Sequence, residues 1–379
     1  MVTPLEQELR DLIAAEGPLP VSRYMALCLG HPRHGYYMTR DPLGAGGDFT
    51  TAPEISQIFG ELLGLWAVAT WQQMGSPSRF NLVELGPGRG TLMSDALRAA
   101  RLVPPFGAAV HVHLVETSPV LRGRQKAMLA DAGVPLAWHD RIEDLPGDPA
   151  IVLANEFFDA LPISQFQRGA QGWHERRIGL DEAGALVIGV DPRPAPFAQA
   201  LARHVPEPHP VGAVLEHLES DAPAALAAHL SRSGGAALVI DYGYERSALG
   251  DTLQALAQHR FVDPLHRPGE ADLTAHVDFA ALARTAEATG TPAHGPLPQG
   301  EFLARLGLHA RADRLKRDAA PAQREAIDLA VARLAGTGQT AMGTLFKVLA
   351  LSHPSLGTPP GFAPEEAFAA RRPHAESPS

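Results

Sequence analysis

Short, strongly apolar runs alternate with helical patterns through the middle of the chain. The runs that predict buried strands are 80–85, 110–115, 136–138, 151–154 and 236–240. Apolar residues at helical spacing predict helices between them, over 91–102, 119–130 and 214–230. Strands this apolar, connected through helices, are typical of a parallel sheet covered on both faces. Right-handed crossovers then predict a doubly wound, Rossmann-like α/β fold.

The hydrophobic pattern changes on either side of this alternation. Residues 1–75 predict an N-terminal helical segment, which precedes an α/β domain at 76–351. Alternating runs between glycines predict an antiparallel meander within an insertion at 163–212, and helical patterns recur within 278–335. The pattern leaves open whether the meander recognises a partner or forms a homodimer interface. The Pro-rich residues 352–379 predict a disordered tail.

The charge and composition of the chain argue against several classes of partner and cofactor. The formal net charge of −10 repels phosphate backbones and is compatible with a cationic substrate, so no nucleic-acid partner is expected. The single cysteine, Cys28, excludes multi-cysteine metal centres, and the 17 histidines include no His-Glu-x-x-His motif, so no metal is expected. No apolar run has the length of a signal peptide core at the N-terminus or of a membrane span. A cytoplasmic protein is therefore expected.

The first predicted strand runs into a glycine-rich loop and then into a helix. The loop has three alternate glycines, Gly86, Gly88 and Gly90, and the helix begins at Thr91. Because glycine has no Cβ, the backbone can approach a small polar ligand at the start of the helix. The dinucleotide fingerprint places its third glycine three residues after the second, whereas the interval here is two. The spacing favours S-adenosylmethionine over NAD as cofactor, with a plain tight turn as the alternative.

Acidic residues follow the next two predicted strands. Glu116 closes the strand at 110–115, the position from which a carboxylate reaches both ribose hydroxyls of a bound nucleoside. Asp140 follows the third strand, where a carboxylate could accept a hydrogen bond from the adenine amino group. Solvated charges at the start of a helix or in a loop would produce the same pattern, so both assignments are hypotheses.

Three polar residues follow the fourth strand, beside the point in the sheet where ligands bind: Asn155, Glu156 and Asp159. Asn155 is assigned to the cofactor. A carboxylate at Glu156 or Asp159 could pair with a guanidinium and aim one nitrogen at a methyl donor, because carboxylate and arginine match bidentately. Methyltransferases of nucleic-acid amino groups carry an Asn-Pro-Pro-aromatic turn here, and its absence favours a protein or small-molecule acceptor. A satisfied hydrogen-bond network within the loop is the alternative.

Five motifs distinguish the chain. They are His-Gly-Tyr-Tyr at 34–37, Gly-Asp-Phe-Thr-Thr-Ala-Pro-Glu-Ile-Ser-Gln at 47–57, the glycine loop at 84–91, Asn-Glu-Phe-Phe-Asp-Ala-Leu-Pro at 155–162 and Asp-Tyr-Gly-Tyr at 241–244. Together they resemble the MidA-type S-adenosylmethionine-dependent methyltransferases, over most of the chain up to about residue 351. The second motif is long and specific, whereas many methyltransferases share the glycine loop.

This resemblance implies an enzyme that methylates an arginine of a partner protein, as mitochondrial members do when they assist assembly of respiratory complex I. It implies an N-terminal segment folded against the cofactor cleft, which makes Asp48, Thr51 and Glu54 pocket candidates. Asp241 is a further pocket candidate, as is Tyr37, for which ordinary packing is the alternative. A bacterial member is expected in the cytoplasm and the eukaryotic relatives in the mitochondrial matrix. Two alternatives stay open: an assembly chaperone that retains the pocket without catalysis, and a small-molecule methyltransferase.

Overall fold

The computed structural model describes residues 2–40, 51–338 and 341–371. The α-helices are α1 (Pro4–Glu16), α2 (Val21–Gly30), α3 (Tyr36–Thr39), α4 (Ala52–Ile55), α5 (Gln57–Gln73), α6 (Thr91–Ala100), α7 (Pro104–Ala109), α8 (Pro119–Met128), α9 (Pro196–Ala202), α10 (Ala222–Ser233), α11 (Phe279–Ala288), α12 (Gln299–Arg305), α13 (Leu308–Lys316), α14 (Pro321–Ala335) and α15 (Met342–Leu345). No helix within these ranges is long and apolar enough to cross a membrane.

The strands are β1 (Leu19–Pro20), β2 (Phe80–Leu85), β3 (Val110–Val115), β4 (Leu136–His139), β5 (Ala150–Asn155), β6 (Ile163–Gly169), β7 (Gly172–Leu180), β8 (Leu186–Pro194), β9 (Val214–Leu218), β10 (Gly235–Tyr244), β11 (Gln254–Ala257), β12 (Arg260–Val262), β13 (Asp272–Thr274), β14 (Val277–Asp278), β15 (Ala293–Pro298) and β16 (Phe346–Ser352). Short 3-10 helices occupy Ile142–Asp144, Pro354–Leu356, Pro364–Glu366 and Phe368–Arg371.

The main sheet has the order β15-β16-β10-β5-β2-β3-β4, and β14 pairs with the end of β10. The strands from β10 to β4 in this order are parallel, whereas β16 and β15 are antiparallel to their neighbours. Successive residues point to opposite faces, so Leu82 packs in a layer with α5 and α6 while Val83 packs in a layer with α10 and α11. The predicted doubly wound α/β class is confirmed.

A second, antiparallel sheet has the order β1-β7-β6-β9, with β8 on the outer side of β7. It contains the predicted meander. The prediction of one helix over 214–230 is wrong at its start, because Val214–Leu218 pairs with β6 as strand β9. The helix begins only at Ala222, with Pro223 in its first turn. The sequence did not predict the small third sheet, β12-β11-β13.

The chain after β16 differs from the predicted disordered tail. Residues 352–371 contact the domain. The Trp66 indole donates to the carbonyl of Pro360 at 3.0 Å, and the Phe362 ring lies 5.4 Å from the Phe302 ring. The Arg305 guanidinium bonds Glu366 at 2.8 Å. The prediction considered only the proline content, whereas an aromatic anchor and an ion pair hold this part of the chain against the domain. Residues 372–379 lie outside the described ranges.

Candidate active site

A cavity of about 810 Å³ lies at the carboxyl ends of β2, β5 and β10. Parallel α/β sheets bind ligands at this edge, at the point where the strand order reverses. Here β3 and β4 follow on one side of β2, and β5 and β10 lie on its other side. Ten residues named from the sequence line the cavity: Tyr37, Thr51, Glu54, Gly86, Gly88, Thr91, Glu116, Asn155, Glu156 and Asp159. The structure therefore brings together most of the predicted site.

The glycine loop follows β2 and forms one wall. Gly86, Gly88 and Gly90 have φ angles of 60°, 53° and 87°, a left-handed conformation that side chains other than glycine rarely adopt. The expectation that the backbone of all three glycines can approach a ligand needs a correction. The amide of Gly86 donates to the Val115 carbonyl at 3.0 Å and that of Gly90 to Pro87 at 2.7 Å, so these two donors serve the fold. Gly86 and Gly88 line the cavity, while Gly90 caps α6.

Glu116 leaves β3 beside this loop and is buried. Its carboxylate accepts from the Ser118 amide at 2.7 Å and from the Gln125 side chain at 3.2 Å. Burial raises the pKa of Glu116, and these hydrogen bonds oppose the rise. The same Gln125 nitrogen donates to the Gly88 carbonyl at 2.8 Å, and its oxygen accepts from the Trp138 indole at 2.9 Å. Because indole only donates, the Gln125 amide is fixed with its nitrogen toward Glu116 and the loop.

Four predicted residues are not part of the described wall: Gly90, which caps α6, Asp241, which is buried beneath the wall, Asp140 and Asp48. Asp140 lies outside the cavity, with a side chain that is 70% exposed and paired with Arg122 at 2.8 Å. The predicted hydrogen bond from the Asp140 carboxylate to adenine is therefore not supported, because β4 ends at the sheet edge and turns this side chain to solvent. Asp48 falls outside the described residues.

Residues from the N-terminal segment form another wall. The Thr91 hydroxyl donates to Glu54 at 2.6 Å, which joins α4 to the first turn of α6. The Ala52 amide donates to the Glu156 carboxylate at 3.1 Å. These contacts tie the Thr-Thr-Ala-Pro-Glu motif at 50–54 to the glycine loop and to the end of β5, with Thr50 itself outside the described residues.

An acidic cluster of three side chains, Glu156, Asp159 and Asp272, lines the cavity wall. Burial raises the pKa of Glu156 to about 8, and the charge of Asp159 adds to the rise. Burial also raises the pKa of Asp159 to about 6, against a hydrogen bond from Tyr242. Glu156 has a φ of 51°, an uncommon backbone conformation for a residue other than glycine. Strained, buried acids of raised pKa are typical of functional sites.

Asp241 stabilises this acidic cluster through hydrogen bonds to the backbone. It is fully buried and accepts from the amides of Phe158 and Asp159, at 3.1 and 3.2 Å, with one oxygen. Its other oxygen accepts from the Tyr242 amide at 2.9 Å. Asp241 was predicted as a pocket residue, whereas the structure places it beneath the wall, where it holds the turn that carries Asp159.

Sequence reasoning missed Asp272 and Gln125. Asp272 accepts from the Tyr37 hydroxyl at 2.7 Å, across 235 residues of sequence. It lies on the three-residue strand β13, which is too short to show a pattern. Gln125 lies on α8 among polar residues, and only its complete burial distinguishes it. The one signal for Gln125 in the sequence is that a polar residue occupies a position on the inner face of helix α8.

Similarities to known proteins bear on this site. Residues 62–297 match the family model of S-adenosyl-L-methionine-dependent methyltransferases. The chain is 40% identical to the mitochondrial protein arginine methyltransferase NDUFAF7 homolog of Drosophila melanogaster, covering 92% of this chain and 84% of the relative. It is 37% identical to NDUFAF7 of Homo sapiens, covering 82% of this chain and 75% of the relative.

The chain belongs to this methyltransferase family. The methyltransferase is also similar to a COG1565 superfamily member from Burkholderia thailandensis, solved with bound S-adenosyl-homocysteine. The two share 29% identity with a TM-score of 0.82, over 94% of this chain and 93% of the other. The resemblance to MidA-type enzymes is confirmed, and S-adenosylmethionine is the cofactor.

The cavity wall of the methyltransferase fits this cofactor. Three buried oxygens in the wall, Glu84 Oε2, Asn155 Oδ1 and Asp159 Oδ1, have no hydrogen-bond partner among the described residues. A ligand with an ammonium group and ribose hydroxyls offers the donors that such acceptors require. Gly86 and Gly88 line the same cavity.

Replacing Gln125 with leucine should lower the affinity for S-adenosylhomocysteine about tenfold, because Glu116 and the Gly88 carbonyl both lose a buried donor. Titration calorimetry measures the affinity, and the KM for S-adenosylmethionine should rise with kcat nearly unchanged. The exposed Gln72→Leu is the control and should bind as wild type. Unchanged affinity in Gln125→Leu would show that Gln125 only packs.

The buried acids should make the protein less stable as pH rises. The folded Glu156 carboxyl keeps its proton until about pH 8, whereas the unfolded chain loses it near the ordinary value of 4.5. The native state therefore binds more protons between these values, and the free energy of unfolding falls by about 1.4 kcal/mol per pH unit for this group. In Glu156→Gln this loss should disappear, so its Tm relative to wild type should rise between pH 5 and pH 8.5. Parallel Tm curves for the two proteins would contradict a buried neutral Glu156.

Proposed function

We propose that this methyltransferase is a protein arginine N-methyltransferase. The observation that carries the proposal is the cluster of three carboxyl groups, Glu156, Asp159 and Asp272, in the wall of the cofactor cavity. A guanidinium offers five N–H donors in a planar fork, and carboxylates are its preferred partners. A neutral small molecule would give these acids no counter-ion, whereas a guanidinium would pair with their charged forms.

Glu156 and Asp159 would hold the acceptor side chain. The bound cofactor would supply an electrophilic methyl group on a sulfonium sulfur. Transfer of this methyl group to the acceptor nitrogen would break the carbon–sulfur bond and release S-adenosylhomocysteine. The two carboxylates would orient the guanidinium, and one of them would accept the proton that the methylated nitrogen releases. A guanidinium between them favours the charged forms and so lowers both raised pKa values. Tyr37 and Tyr242 would position the cluster through their hydroxyls, which bond Asp272 and Asp159.

The cofactor contacts are assigned to the cavity residues at the ends of β2, β3 and β5. We propose that Glu116 accepts from the ribose hydroxyls and that Asn155 and Glu84 bond the amino acid end. Gly86 and Gly88 would approach the ligand through their backbone, with Thr91 at the start of α6. These assignments are supported by the burial and the unpaired oxygens described above.

We extend the proposal to the partner: a subunit of respiratory complex I or its bacterial counterpart. Its support is the similarity to mitochondrial relatives named as protein arginine methyltransferases. The overall charge of −10 also complements an arginine-bearing partner.

Mass spectrometry tests the function directly. The protein is incubated with methyl-labelled S-adenosylmethionine and an extract of cells that lack it, and labelled positions are mapped. Label on arginine side-chain nitrogens is the expected result. Label on small molecules alone would favour a small-molecule enzyme. Binding of S-adenosylhomocysteine without any label transfer would favour an assembly protein.

A further inference from the structure

The three-stranded sheet β12-β11-β13 links the acidic cluster to the protein surface. In its register Asp272 is opposite Leu256, and Leu256 is opposite Phe261. Opposite residues in antiparallel strands share a face, so these three side chains form one row, and all three line the cavity. The neighbouring row packs on the other face, where Ala255 and Leu273 are buried.

Phe261 ends this row at the surface with 75% of its area exposed. Strands in a sheet are about 4.8 Å apart, so Phe261 lies roughly 10 Å from Asp272 across the row. The hairpin that carries it is closed by Gln258 and His259, whose φ angles of 52° and 59° belong to a tight two-residue turn. The turn fixes the register and therefore holds Phe261 opposite Leu256.

We propose that the row from Leu256 to Phe261 binds an apolar residue next to the target arginine in the acceptor protein. This inference rests on the proposed arginine methylation. The acidic cluster selects a guanidinium by charge, and the row continues from it outward with apolar side chains. Adjacent residues of an acceptor lie 3.8 Å apart along the chain, so a neighbour within about two positions of the arginine reaches Phe261. The acceptor is thus a protein segment with an arginine flanked by a bulky apolar residue.

Pairs of synthetic peptides test this selectivity. Each pair has one arginine, flanked by leucine in one peptide and by serine in the other, and methyl transfer from labelled S-adenosylmethionine gives kcat and KM. Wild type should show a kcat/KM about tenfold higher for the leucine peptides, mostly through KM. Phe261→Ser should lose this preference, and Phe261→Leu should restore most of it.

The matched control is Phe197→Ser. Phe197 is 54% exposed on α9 and does not line the cavity, so its removal should leave the preference intact. Calorimetry with S-adenosylhomocysteine shows that each variant is folded and binds the cofactor. Equal rates on both peptides, or a preference retained in Phe261→Ser, would overturn the inference and leave arginine methylation standing. No transfer to any arginine peptide by cofactor-binding wild type would count against the proposed function, and this inference would fall with it.

Discussion

Replacing Glu156 with glutamine is expected to lower the rate of methyl transfer at least about 100-fold. Glutamine is nearly the same size but cannot carry the negative charge that holds a guanidinium or accept its proton. Because Glu156 is proposed to hold the acceptor and not the cofactor, the affinity for S-adenosylhomocysteine should stay within about threefold of wild type. Single-turnover transfer of a labelled methyl group and calorimetry measure the two effects separately.

Two further variants make this result specific. Asp159→Asn should show a similar loss, since the two carboxyl groups line the cavity with Asp272. Glu325→Gln removes an exposed carboxylate on α14 and should behave as wild type. Full activity in both Glu156→Gln and Asp159→Asn would place the acceptor elsewhere.

Gly88→Val is expected to weaken the binding of S-adenosylhomocysteine by at least about 100-fold. Gly88 has a φ of 53° and lines the cavity, and a branched side chain neither adopts this conformation readily nor leaves the wall open. The substitution also disturbs the carbonyl that accepts from Gln125. Calorimetry on the folded variant measures the loss.

Gly133→Val separates backbone strain from the loss of the site. Gly133 also has a positive φ, 74°, but an added Cβ there meets no atom within 4 Å. Its variant should lose some thermal stability while cofactor affinity is unchanged. If Gly88→Val and wild type bind equally, the loop assignment is wrong.

The sequence predicted the cavity lining best where a residue directly follows a strand in the interior of the sheet. Glu116 follows β3, and Asn155 closes β5 with Glu156 directly after it, so their positions at the sheet edge follow from the strand pattern alone. Asp140 follows β4 in the same way, yet β4 is the outermost strand and its end faces solvent. The strand pattern does not contain the strand order, which decides whether a strand end faces the cavity.

The sequence by itself determined the α/β class, the family and the glycine loop, because each is encoded locally, in apolar runs and in consecutive motif residues. Only the tertiary structure decided which acids share the cavity. It brings Asp272 to Tyr37 from distant parts of the chain, buries Asp241 beneath the wall and turns Asp140 outward. Contacts between residues far apart in sequence depend on how sheets and loops pack, and no local pattern records that packing.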